Sequence, residues 1–150
     1  MDVAYIIAGA AKAYYSVTGN DLELGPLVTE SPSSENEPET SLGAGMDDYY
    51  LPGKPGYAPT WENHFSMISM VPVMEWFDFF AAADEFDTTP IYMVYGTEAF
   101  SRHGAAKFYD MTNGPKERLV LEGAGHFDIY WMPEYVNPAV EGITEFLSNY

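Results

Sequence analysis

The chain has 150 residues, of which 47% are hydrophobic and 16% aromatic, so its length suits a single domain with a sizeable core. Its formal net charge of −17 argues against binding to phosphate backbones or to anionic membrane surfaces. It contains no cysteine, which excludes disulfides, thiolate metal sites and cysteine nucleophiles.

The first predicted element is an amphipathic helix over residues 3–17, with Gly19 as its stop signal. Six apolar residues recur at the three- and four-residue spacing of one helical face, which we expect to be the packed face: Val3, Ile6, Ile7, Ala10, Tyr14 and Val17. Residues 25–45 are rich in Pro, Ser, Glu and Gly and offer little to bury, so we predict a flexible acidic loop there.

An aromatic stretch covers residues 46–86. Prolines interrupt its first part, and helical periodicity begins near Trp61. Pro72 predicts a break between two helices, because proline disrupts a helix interior. We interpret the Phe, Trp and Met residues of this stretch as core, and a ligand-facing cluster is the alternative.

The last third of the chain gives the fold class. Residues 90–96 and 118–123 are typical of strands, and residues 99–112 and 133–150 are typical of helices. This alternation predicts a βαβ unit with parallel strands and a right-handed connection, so the class is α/β. Because only two strands can be recognised, either further strands lie in segments whose pattern is unclear, or another polypeptide completes the sheet.

Two polar residues follow the predicted strands. Glu98 comes two residues after the first strand, and His126 comes three residues after the second. Neighbouring strands lie about 4.8 Å apart, so the two loops should converge at the carboxyl edge of the sheet. In that geometry a carboxylate accepts the Nδ1 proton and leaves Nε2 facing a nucleophile. A packing or surface role for His126 is the alternative.

The segments TPIYMVYGTEAF and KERLVLEGAGHFDIYWMPEYVNPAVEGITEFL resemble the C-terminal part of α/β-hydrolases. The resemblance is strongest to the group related to dienelactone hydrolases and polyketide-transferase-like hydrolases, and it is closest around GAGHFDIY. It covers residues 57–150 best, where Tyr57, Trp61 and Phe65 resemble a cap-side segment. It implies a partial α/β-hydrolase fold over residues 1–150, formed by the last two strands with their helices.

The resemblance also implies roles for individual residues. His126 is similar in position to the general base of a Ser-His-acid triad, and Glu98 is the best match to its acid. Asp128 is the rival acid, although we expect it to fix its own loop. We expect Gly123 and Gly125 to let the backbone turn sharply before the histidine.

The nucleophile of that family has no counterpart in this chain, which lacks a G-x-S-x-G motif. The nearest fragment, around Ser41, lies in the predicted loop, and Ser101 is predicted to start a helix. We therefore predict the C-terminal half of an α/β-hydrolase, inactive alone. It would act on an ester or similar small acyl substrate only if a separate N-terminal half supplies the serine.

A non-catalytic domain that uses its open sheet edge to self-associate or to bind a partner is the alternative function. We expect the partner to be an N-terminal hydrolase half or a further copy of the chain in a homo-oligomer. We expect the chain to bind neither nucleic acid nor a membrane. We expect no cofactor and no metal, because His64 and His103 lack partners at metal-ligand spacing and no phosphate-binding loop is present. We expect a cytoplasmic protein with a solvated acidic surface, and an acidic face for a basic partner is the alternative.

Overall fold

The computed structural model describes residues 3–24, 28, 45–76 and 80–150. The chain divides into two compact units, and each is described by itself. The helical unit comprises residues 1–29 and 59–78, and the sheet unit comprises residues 30–58 and 79–150. The predicted flexible loop, with Ser41, lies outside the described residues except at Val28 and Gly45.

Within the described residues, five α-helices and four strands follow one another along the chain. They are α1 (Val3–Thr18), β1 (Glu23–Leu24), α2 (Met46–Tyr50), β2 (Phe65–Ser66), α3 (Met67–Trp76), β3 (Ile91–Gly96), α4 (Arg102–Met111), β4 (Lys116–Leu121) and α5 (Pro133–Leu147). Two 3-10 helices, Ala81–Phe86 and Asp128–Tyr130, precede β3 and α5. No helix in the described part of the chain has the length and apolarity needed to cross a membrane.

The helical unit is built on the packing of α1 against α3. Ala8 and Ala11 of α1 are buried with Met67 and Val71 of α3, because two small side chains three residues apart let the helices approach closely. The extent of α1 was predicted correctly, but its packed face was not. Five residues of the predicted face are exposed instead: Ile6, Ile7, Ala10, Tyr14 and Val17.

The start of α3 also differs from the prediction. The helix begins at Met67 and runs through Pro72, so the break expected there is wrong. Pro72 is exposed, and its lack of an N–H leaves the helix without one hydrogen bond. The carboxylate of Asp21 supports the first turn, since it accepts hydrogen bonds from the Ile68 N–H (3.1 Å) and from the Ser66 hydroxyl.

The sheet unit confirms the predicted parallel pair. β3 and β4 run parallel, with the register Ile91↔Lys116 through Gly96↔Leu121, and α4 connects them. The chain is therefore of the α/β class. Within the described residues each of these strands has one neighbour, so both edges of the sheet are open.

The helices α4 and α5 cover opposite faces of this sheet. Side chains alternate along a strand, so Tyr92 and Tyr95 point to different faces. The Tyr92 ring lies 5.4 Å from that of Phe146 in α5. On the other face, Arg118 contacts the Tyr95 hydroxyl and lies 4.7 Å from the ring centre of Tyr109 in α4.

Candidate functional site

The loops that follow β3 and β4 are joined at the carboxyl edge of the sheet. The Glu98 N–H donates to the Ala124 carbonyl (3.0 Å), and the Gly123 N–H donates to Thr97 Oγ1 (2.8 Å). Gly96 has no Cβ, and one placed there would overlap the Ala124 carbonyl. Gly123 has a φ of 73°, the left-handed conformation that permits the sharp turn expected before the histidine.

His126 lies after this turn, five residues beyond the end of β4, and each of its ring nitrogens contacts a hydroxyl group. Nδ1 is 2.9 Å from Ser101 Oγ, and Nε2 is 2.8 Å from the hydroxyl of Tyr130. Both distances are those of ordinary hydrogen bonds. The imidazole is thus held at both nitrogens.

Aromatic side chains surround the imidazole. The ring of Phe100 lies 4.3 Å from that of His126, and the ring of Phe127 lies 4.9 Å from it, edge to face. Burial among these groups lowers the pKa of His126, because the charged form loses hydration. The neutral imidazole, with one bare nitrogen, is therefore the favoured form near pH 7.

Tyr130 is also affected by its surroundings. Burial raises the pKa of its hydroxyl, and the neighbouring Tyr50 and Tyr49 add to the shift. The phenol therefore keeps its proton over the physiological range. It can donate that proton to Nε2 or accept one from it.

A pocket of about 260 Å³ opens beside the imidazole. Glu98 and His126 both line it, so the structure brings the two predicted residues to one site. In the described part of the chain, however, no hydrogen bond joins the Glu98 carboxylate to the imidazole. The nitrogen predicted to face the carboxylate contacts Ser101 instead. The lining residues are Gly45, Glu98, Phe100, Gly123, Gly125, His126, Phe127 and Asp128.

Asp128, the rival acid, holds its own loop. Its Oδ2 accepts a hydrogen bond from the Gly125 N–H (2.8 Å) at the start of a 3-10 helix. This agrees with the expectation that its carboxylate fixes the turn around His126.

Ser101 and Tyr130 are the contacts that sequence reasoning missed. Ser101 stands at the N-cap of α4, as predicted, but its side chain makes no capping hydrogen bond and reaches His126 instead. Nothing in the local sequence signals a contact across 25 residues. Tyr130 follows His126 by only four residues, so this contact is local, although His126 lies before the 3-10 helix that contains Tyr130.

A second pocket of about 330 Å³ shares Gly45, Phe127 and Asp128 with the first. Its walls include the aromatic rings of Tyr49 and Trp131. The Tyr49 ring stacks on that of Phe127 at 5.9 Å, which connects α2 to the loop that carries His126. Aromatic rings thus continue from the imidazole into the second pocket, whose lining also includes the charged Asp48 and Lys54.

The predicted cap-side aromatic residues fall in both units. Tyr57 belongs to the sheet unit and is 41% exposed, whereas Trp61 and Phe65 belong to the helical unit.

Metal binding finds no support in the residues that the structure describes, where no group of three His, Asp or Glu side chains is placed to hold an ion. His64 Nε2 lies 3.7 Å from Glu62 Oε2, and His103 is exposed on α4.

Comparison with known proteins finds no protein-family profile that matches the chain. The chain is 25% identical over 144 residues to the uncharacterized protein YcjY of Escherichia coli, covering 95% of this chain and 45% of YcjY. It is 27% identical over 113 residues to the uncharacterized protein PA2218 of Pseudomonas aeruginosa, covering 73% of this chain and 30% of that protein.

Two solved structures share the fold. DcsB, solved in complex with its substrate analogue, matches with a TM-score of 0.65 and 16% identity, over 97% of this chain and 49% of DcsB. The hypothetical protein PA2218 matches with a TM-score of 0.70 and 20% identity, over 95% of this chain and 44% of PA2218. The chain therefore spans less than half the length of these relatives, as a partial domain would.

Proposed function

We propose that the chain is the C-terminal half of an α/β-hydrolase, in which His126 is the general base for ester or similar acyl hydrolysis. The observation that carries this proposal is the position of the His126 imidazole beside a pocket at the carboxyl edge of a parallel pair of strands. The span of less than half of the relatives supports a missing portion. DcsB, which shares the fold, was solved with a substrate analogue, and this supports a substrate-binding role.

In this proposal a serine from a separate N-terminal half attacks the acyl carbon. Its Oγ proton passes to Nε2 of His126, and the imidazolium then gives that proton to the leaving group. The Tyr130 hydroxyl, which now contacts Nε2, must give way to the serine. Tyr130 is 46% exposed, so this displacement costs little packing. Glu98, in the wall of the same pocket, remains the proposed acid, whose negative charge would stabilise the imidazolium without orienting the ring, and the aromatic surface around Phe127 would hold the acyl group.

Reconstitution tests this function. Alone, the chain should neither hydrolyse short p-nitrophenyl esters nor react with a fluorophosphonate probe. The complementary half to add is the segment of YcjY that this chain does not match. If activity appears, His126→Ala should lower kcat by roughly 10⁶-fold, and Glu98→Gln should cost one to two orders of magnitude less. His103→Ala, on an exposed surface of α4, is the matched control and should leave the rate unchanged.

Two results would contradict the proposal. One is a reconstituted hydrolase that keeps its activity when His126 is replaced by Ala. The other is fluorophosphonate labelling of a serine in the isolated chain that His126→Ala abolishes, which would identify a nucleophile within this chain.

A second candidate function is a non-catalytic, self-associating domain, and the surface of α5 favours it. Val140 and Leu147 are 54% and 55% exposed, and Ile143 between them completes an apolar stripe. The sheet beside it has open edges within the described residues. Light scattering should then give a mass above the 16.7 kDa of one chain. Val140→Lys with Leu147→Lys should restore a monomer, whereas Glu141→Lys, on exposed α5 surface, should not.

A further inference from the structure

We propose that the Ser101 hydroxyl, and not a carboxylate, orients His126 and fixes its tautomer with the proton on Nδ1. This inference rests on the proposed role of His126 as a base, because that role requires a bare Nε2. It assigns Ser101 as a positioning residue and Tyr130 as its counterpart at the other nitrogen.

The two hydroxyl groups differ in chemistry, and this difference selects the tautomer. A neutral imidazole has one N–H donor and one bare acceptor nitrogen, so one hydroxyl must donate to the ring and the other must accept from it. Even where burial raises its pKa, a phenol is more acidic than an aliphatic hydroxyl such as that of serine, and it is therefore the stronger donor. Tyr130 thus donates to Nε2, and Nδ1–H donates to Ser101 Oγ.

The surroundings of Ser101 are consistent with this arrangement. It occupies the N-cap position of α4 but makes no capping hydrogen bond, so its oxygen is available to the imidazole. The Ala99 carbonyl, two residues before it, accepts from the Arg102 N–H, and the Ser101 carbonyl accepts from the Ala105 N–H. The backbone of Ser101 is therefore fixed on both sides, and the side chain presents a fixed acceptor to Nδ1.

Neither of the two carboxylates near the imidazole, Asp128 and Glu98, is placed to orient it. Asp128 is engaged with the Gly125 N–H, and Glu98 lines the pocket without a hydrogen bond to His126 in the part of the chain that the structure describes. The direction of the His126 pKa agrees, because a carboxylate partner would favour the charged imidazolium, whereas burial here lowers the pKa.

The test is NMR of the isolated chain labelled with 15N-histidine, at about pH 8, where imidazole is neutral. His64→Gln and His103→Gln identify the His126 signals. The wild type should carry its ring proton mainly on Nδ1. Ser101→Ala should lower the ratio of Nδ1–H to Nε2–H by roughly three- to tenfold, the effect of one ordinary hydrogen bond.

Three further variants make the result specific. Ser101→Thr keeps the hydroxyl and should keep the ratio. Tyr130→Phe removes the donor to Nε2 and should lower the ratio as Ser101→Ala does, and it keeps the ring and its aromatic contacts, so folding should be preserved. Glu98→Gln should leave the ratio unchanged.

A wild-type ring that is mainly protonated on Nε2 would overturn the assignment. A change on Glu98→Gln as large as that on Ser101→Ala would also overturn it, and would return the orienting role to the carboxylate. The measurement needs no second half and no activity. An inactive reconstituted hydrolase would therefore refute the proposed function without touching this result.

Discussion

The imidazole of His126 links local packing to pH. Phe100, Phe127 and Tyr130 lie around the ring, and burial lowers the pKa of His126 below the usual value of 6.5. Well above pH 6.5 the ring is neutral in both the folded and the unfolded chain, so its ionisation does not alter stability there. As the pH falls through 6.5, the unfolded chain takes up a proton that the folded chain resists, and the free energy of unfolding decreases until the folded pKa is reached.

This predicts that the pKa of His126, measured by NMR titration, is lower in the folded chain than in the same chain unfolded in urea. His126→Gln should remove this part of the acid dependence of stability while leaving that of the carboxylates. A folded pKa equal to or above the unfolded one would show that a charged partner outweighs burial.

For individual residues, the sequence spacing was sufficient to predict that Glu98 and His126 lie at one pocket. Both residues follow parallel strands, at the carboxyl edge of the sheet. The spacing did not reveal the partners of His126. The Ser101 contact depends on how the turn after Gly96 and the first residue before α4 are placed in space, and no periodicity encodes that. Asp128 was read correctly because its contact with Gly125 is local.

The positions of two glycines in the secondary structure, one at the end of β3 and one in α4, predict how alanine substitutions affect stability. Gly96 ends β3 against the Ala124 carbonyl, where a Cβ cannot fit, whereas a Cβ at Gly104 in α4 would meet no atom within 4 Å apart from its chain neighbours and the backbone of its own helix. Gly96→Ala should therefore lower the free energy of unfolding by roughly 1–3 kcal/mol or more, as overpacking does. Gly104→Ala should raise it by about 0.5–1 kcal/mol, because alanine loses less entropy in a helix.

Urea unfolding of the two variants beside the wild type provides the measurement, with each serving as the control for the other. Equal effects of both substitutions would mean that the loops after β3 and β4 do not approach as closely as the structure shows.

The predicted elements succeeded where the signal was long and apolar. β3 was recognised from its apolar run, whereas β4 was predicted two residues too late because only its second half, Leu119 to Leu121, is apolar. α5 was recognised because its periodic pattern begins at Pro133. β1 and β2 pair over only two residues each, which no pattern can mark. The packed face of α1 was misassigned because large apolar residues outweighed Ala8 and Ala11, although the close approach of α3 selects small side chains.

At the scale of the whole molecule, the chain has two compact units and covers less than half of the length of its relatives. The sheet unit holds the predicted pair of site residues, and it has open edges and the exposed apolar stripe of α5 within the described residues. A larger assembly would cover these surfaces under either candidate function. Both candidate functions therefore require a partner. The partner is an N-terminal half for the hydrolase and a second copy of the chain for the self-associating domain.

The charge of the whole chain predicts how its stability depends on salt. Six basic residues cannot pair one-to-one with 23 acidic residues, so the folded chain carries a strong net repulsion. The Debye length falls from about 10 Å at 0.1 M salt to about 3 Å at 1 M, which screens this repulsion. The melting temperature should therefore rise along a sodium chloride series.

Potassium chloride is the control, since screening depends on ionic strength and should give the same rise with either salt. Replacing Glu141 and Glu145, both exposed on α5, with Gln should raise the melting temperature at low salt and flatten its salt dependence. A melting temperature that stays flat or falls in both salts would show that the acidic side chains are too far apart, or too well hydrated, for their repulsion to oppose folding. The acidic surface would then be more easily explained as a face for a basic partner, which would stabilise the chain at low salt and dissociate as salt is added.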